Sequence, residues 1–66
     1  MEAEKLILEA LRDGKPKSQN MIRRDTGKHY YIIKRAIVSL IKKKFIKESR
    51  KGNITSYSIT EKGAKQ

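Results

Sequence analysis

The 66-residue chain contains no cysteine, which removes disulfide bridges, thiolate nucleophiles and cysteine-based zinc or iron-sulfur sites together. Its single histidine, His29, has no second histidine or any cysteine with which to share a metal ion. Long apolar runs are missing too. The aliphatic runs Leu6-Ile7-Leu8 and Ala36-Ile37-Val38 fall far short of the roughly 20 residues that cross a bilayer, and the opening Met-Glu-Ala-Glu is acidic where a secretory signal is basic. The expectation is a soluble, cytoplasmic protein with no membrane partner. Acidic residues are scarce as well: 7 Asp and Glu stand against 17 Lys and Arg, a formal net charge of +10. With 36% of its residues hydrophobic and 36% charged, so short a chain can bury one modest core and no large enclosed active site. The few carboxylates lie among lysines without a pocket-forming segment, so neither catalysis nor a cofactor is expected.

What charge there is lies unevenly. Residues 1–14 carry a net −2 and residues 15–66 a net +12. Such a split points to a polyanion as partner, the alternative being a lysine-rich surface that serves solubility alone.

Ala3, Leu6, Ile7, Ala10 and Leu11 recur at helical spacing and predict a first helix over about 2–13. Asp13-Gly14-Lys15-Pro16 stops it, because Gly14 can take a left-handed conformation and Pro16 cannot continue a helix. Ser18 can cap a second helix over about 18–26, whose clearly apolar residues are Met21 and Ile22 and whose end is marked by Thr26-Gly27. Ile33, Ala36, Ile37, Leu40 and Ile41 define a third helix over about 29–43, with Lys34, Arg35, Lys42 and Lys43 on other positions. Residues 45–50 and 54–60 are β-prone runs on either side of Lys51-Gly52-Asn53, which predicts a hairpin over about 45–60. In its second strand Thr55, Tyr57 and Ile59 share one face and Ser56, Ser58 and Thr60 the other. Glu61 to Gln66 are expected to fray.

Three helices, the last two joined by a tight turn, followed by a basic hairpin is the order of a winged helix-turn-helix domain, and here the sequence resembles that superfamily in its letters too. Thr26-Gly27, the positions Ile33, Ile37 and Leu40, and the pair Phe45-Ile46 match its turn glycine, its core-facing recognition-helix positions and the apolar pair that opens the wing. Tyr57-Ser58-Ile59-Thr60-Glu61-Lys62-Gly63 is similar to its second wing strand and ending. Lys28 departs from the pattern at the turn, where a small apolar residue is usual, and Lys44 departs from it where a glycine is usual before the wing. The resemblance implies one α+β domain over residues 1–66, with a three-helix helix-turn-helix core and a two-stranded β-hairpin wing. It implies sequence-specific binding of double-stranded DNA by a small transcription regulator.

A helix of about 15 residues is about 22 Å long and of a diameter that enters the major groove, where base edges present distinct donors and acceptors. With Ile33, Ile37 and Leu40 on the core side, the third helix presents Tyr30, Tyr31, Lys34, Arg35 and Val38. Lys34 and Arg35 can reach phosphates or guanine edges, and the tyrosines can donate to phosphate or pack on a thymine methyl. The alternative for Tyr30 is that it closes the core. Lys28 and His29 stand at the start of that helix, His29 within reach of phosphate. At the wing tip Arg50, Lys51 and Asn53 can approach phosphate or the minor groove, or can be turn residues kept wet. Two rival readings use the same fold: an RNA-binding ribonucleoprotein component, and a module that docks on an acidic protein. Many larger winged-helix regulators continue beyond a Lys-Gly pair into a long pairing helix, whereas Ala64-Lys65-Gln66 follow Gly63 here. A homodimer would then use helix one, where Leu8 lies off the apolar stripe and offers a second contact.

Overall fold

Helices α1 (Glu2–Ala10), α2 (Gln19–Thr26) and α3 (Tyr30–Lys42) are followed by strands β1 (Ile46–Lys51) and β2 (Ile54–Ile59) and by a short α4 (Glu61–Ala64). The computed structural model describes residues 2–66. Regular α1 ends three residues before the expected position 13. Leu11 still donates to the Ile7 carbonyl (3.0 Å), but Arg12 donates to Glu9 (3.2 Å) and Gly14 to Leu11 (3.0 Å), so the last turn tightens into i to i−3 bonds. Gly14 then closes it at φ +81°.

The face that α1 buries is rotated from the expected one. Ala3, Glu4, Ile7, Leu8 and Leu11 are buried, and Leu6 and Ala10 fall to a half-buried edge. Spacings of 1, 3, 1 and 3 make as good a helical stripe, and it was hidden because one of its members is a glutamate. Leu8 is 6% exposed and enclosed in the chain's own core. The second apolar patch expected on helix one is therefore absent, and the contact on which pairing through helix one was to rest goes with it.

Glu4 is tolerated in that stripe because α3 supplies partners. Ser39 Oγ donates to Glu4 Oε1 at 3.2 Å and Lys43 Nζ at 2.9 Å. Burial pushes the carboxyl up, but the Lys43 and Ser39 hydrogen bonds and the ammonium charge outweigh it and hold the pKa below its ordinary 4.5. A carboxylate depressed in the folded state stabilises the fold above the unfolded value, and the benefit is lost as pH falls through the lower folded value. In acid titrations followed by circular dichroism, wild type should lose stability as pH drops below 4.5. Glu4→Gln should lack that component and be less stable at neutral pH by about 1–2 kcal/mol. Parallel acid profiles for the two proteins would show that the pair contributes nothing.

Ser18 caps α2, its Oγ accepting from the Met21 amide at 3.3 Å. Gly27 ends the helix at φ +70°, and its amide donates to the Arg23 carbonyl at 2.8 Å. α3 begins on His29 as N-cap, whose side chain makes no capping bond, and buries Ile33, Ala36, Ile37 and Leu40. Its far end is a Schellman closure: Phe45 donates to the Leu40 carbonyl and Lys44 to that of Ile41, both at 3.0 Å. Lys44 takes φ +64° there, so a lysine occupies the left-handed turn for which a glycine is the usual residue.

β1 and β2 pair antiparallel from Ile46 opposite Ile59 to Lys51 opposite Ile54, leaving Gly52-Asn53 as a two-residue turn. Gly52 alone in that turn has a positive φ (+59°), the sign pattern of type II′. Tyr57 is the wing residue that closes the core, 9% exposed, with Ile46 beside it. Burial and then Glu48 across the ladder push its hydroxyl pKa up, Arg50 acting against them. A third pairing, unforeseen from sequence, joins wing to helices: the Lys17 amide donates to Tyr57 O at 2.9 Å and the Tyr57 amide to Lys17 O at 2.8 Å. The Lys17 ammonium then donates to the Ala10 carbonyl at the end of α1 (2.7 Å) and to Asp25 of α2 (2.9 Å).

The last residues form α4 instead of fraying. Thr60 caps it, accepting from the Gly63 amide at 3.1 Å while its hydroxyl lies 2.7 Å from the Lys44 carbonyl. The Thr60 amide donates to Phe45 O at 2.9 Å, and Lys62 lies 5.6 Å from the Phe45 ring centroid. A Cβ on Gly63 would run into the Phe45 carbonyl, so the close approach of α4 to the start of the wing needs a glycine.

Candidate nucleic-acid interface

α3 buries one side against α1, α2 and β1, and its other side defines the site. Tyr30 (39% exposed), Tyr31 (67%), Lys34, Arg35, Val38 (49%) and Lys42 are all open to solvent. They fall at spacings of 3 and 4, so they form one ridge along a helix of thirteen residues, about 20 Å long. Tyr30 stays in the open ridge and does not close the core; the buried tyrosine is Tyr57.

The leading end of α3 is an aromatic cluster. His29 stacks on Tyr31 (centroids 5.9 Å apart, planes at 14°), and Tyr30 meets Tyr31 edge-on at 5.4 Å and 79°. Such packing fixes two tyrosine hydroxyls and an imidazole in a small area. Lys28 stands beside this cluster but is partly engaged, its ammonium 3.7 Å from the Glu2 carboxylate. Lys34, Arg35, Arg50 and Lys51 have no salt bridge among the described residues. Their full positive charge is directed to solvent.

Arg50 and Lys51 end β1 opposite Thr55 and Ile54, and Asn53 lies in the turn. These three are gathered at the exposed tip of a separate element. No hydrogen bond, ion pair or ring contact among the described residues links them to the α3 ridge. Two concave surfaces add residues that sequence reasoning missed. Asn20, Arg23, Arg24, Gly27 and Lys28 line an open basic hollow at the end of α2. The signal for it was present: Arg23 and Arg24 precede the turn glycine and can reach forward over it. A second open cleft, of about 400 Å³, runs along α3 between Lys34, Arg35, Val38, Ser39 and Lys42. Among the described residues no helix is long and apolar enough to cross a membrane.

Helices in this order, with a tight turn before the third and an antiparallel hairpin after it, define a winged-helix domain. The chain is similar in structure to a point mutant of ZitR from Lactococcus lactis, with a TM-score of 0.85 and 23% sequence identity over 96% of this chain. It spans 44% of the length of that protein chain. No known family matches its sequence, and no curated protein does.

Proposed function

We propose that the chain binds double-stranded DNA as the DNA-reading part of a transcription regulator, with α3 in the major groove and the wing tip on phosphate or in the minor groove. The observation that carries this is the solvent ridge of α3: cations and tyrosines in a row, with no carboxylate anywhere in the helix. The winged-helix likeness to ZitR supports the reading at the level of fold. In it Lys34, Arg35, Tyr30 and Tyr31 meet base edges and flanking phosphates. Lys28, His29, Arg23 and Arg24 hold one phosphate rail, and Arg50, Lys51 and Asn53 hold another. A-form RNA favours the reading less, since its major groove is too narrow and deep for side chains to read.

The test is fluorescence anisotropy on a preferred duplex, a scrambled duplex, duplex RNA and single strands. Duplex DNA should bind most tightly. Arg35→Ala and Tyr31→Ala should weaken the preferred site more than the scrambled one, because a good base contact discriminates by about 1–3 kcal/mol. Arg50→Ala and Lys51→Ala should weaken both by the same factor. Equal losses from all four would mean that α3 reads no bases, and a preference for duplex RNA would transfer the fold to the ribonucleoprotein reading.

A further inference from the structure

The thirteen residues Tyr30–Lys42 include no Asp, Glu, Asn or Gln. The carboxylates that accept from the cytosine amino group, and the amides that hold adenine by two hydrogen bonds, are therefore absent from the helix. What it offers to base edges is cationic donors, hydroxyls and apolar surface. Val38 lies at the middle of that surface, 49% exposed, one turn beyond Lys34 and Arg35 and one turn before Lys42. It supplies the aliphatic wall of the open cleft that Lys34, Arg35, Ser39 and Lys42 otherwise line. The packing does not call for it: Ile33, Ala36, Ile37 and Leu40 fill the core side, and valine is a weaker helix former than lysine or alanine at a solvated position. An apolar spot ringed by cations that make no salt bridge among the described residues complements a surface that is anionic at its rims and apolar at a point. In the major groove that point is the C5 methyl of thymine, set between two rows of phosphates.

We propose that Val38 seats against a thymine methyl and is the residue by which this helix selects thymine, with Lys34 and Arg35 on acceptor edges one turn away. The proposal rests on the duplex-DNA reading above and names what that site recognises. Because half of Val38 is already wet, changing it leaves the core intact.

The experiment begins with enrichment of random-sequence DNA duplexes on the full chain. Anisotropy follows on the enriched duplex, with each thymine replaced in turn by deoxyuridine, which differs only in lacking the methyl. At one position deoxyuridine should weaken wild type by about fourfold, the factor for taking one methyl out of water. Val38→Ala should weaken the thymine duplex by a similar factor and no longer distinguish thymine from deoxyuridine there. Val38→Ser, which leaves a hydroxyl and neither γ-methyl, should behave likewise, and both variants should melt close to wild type. Wild-type affinity unmoved by deoxyuridine at every thymine overturns the proposal, as does a Val38→Ala protein that keeps the wild-type ratio. Duplex binding with no enriched sequence overturns thymine selection alone. Failure of any duplex to bind overturns the DNA reading with it.

Discussion

Affinity for duplex DNA is expected to fall about a thousandfold between about 50 and 200 mM salt. Each phosphate that a Lys or Arg neutralises releases bound counterion, giving a slope of roughly −0.9 in log K against log salt for each contact. The candidate contacts are Lys34, Arg35, Arg50, Lys51, Lys28 and the Arg23-Arg24 pair. About six simultaneous contacts from that set give a slope near −5, which over a fourfold change in salt is about three decades. Four of these cations, Lys34, Arg35, Arg50 and Lys51, have no acidic partner among the described residues to leave first. Lys28 must exchange its exposed contact with Glu2 and should therefore contribute less than its neighbours. Anisotropy titrations at four or five salt concentrations give the slope directly. A value near zero would remove phosphate contact from the account of this surface, and the DNA reading with it.

Gly63→Ala is expected to lower the thermal midpoint by about 10 °C. The new methyl would overlap the Phe45 carbonyl, a backbone group, and would also crowd the Ile59 side chain at 3.0 Å. Backbone cannot step aside as the end of a flexible side chain can. Either α4 lifts away, breaking the Thr60 bonds to Lys44 and Phe45, or the Phe45 backbone shifts, straining its hydrogen bond to Leu40 and the packing of Ile46. Overpacking of that kind costs about 1–3 kcal/mol, and in a domain of this size 1 kcal/mol moves the midpoint by about 4–8 °C. Circular dichroism melts of the two proteins decide the matter. An unchanged midpoint would show that α4 does not dock on the wing in solution.

The helices were legible because their ends are written in local chemistry. Ser18, Gly27 and the Gly14-Pro16 stop act within four residues, and each acts where it was expected. The wing followed from alternation around Gly52-Asn53 in the same way. What was not legible depends on contacts between residues far apart in the chain. Glu4 looks like a surface residue until Ser39 and Lys43 are brought to it, and without it the α1 stripe was set one position off, leaving Leu8 outside the core. The ending at residues 61–66 has too few apolar residues to show a period, yet a capping threonine and one close-packed glycine hold it in place. At the interface, exposure of the α3 ridge followed directly from its buried positions. Arg23 and Arg24 were missed because they belong to the supporting helix, and their nearness to Lys28 is a product of the turn.

Lys17 has a consequence for the proposed DNA complex. One residue closes the sheet on Tyr57 with its backbone, while its ammonium ties the end of α1 to Asp25 in the helix ahead of the turn. Together with Ile46 and Tyr57 in the shared core and the Phe45–Leu40 hydrogen bond, this ties the hairpin to all three helices. On the proposed DNA reading, a wing already held against the helices leaves less ordering entropy to be lost on the protein side when a duplex binds. The proposed base contacts would then be joined by a second source of discrimination, the energy of deforming any duplex whose grooves do not already match the spacing of helix and wing.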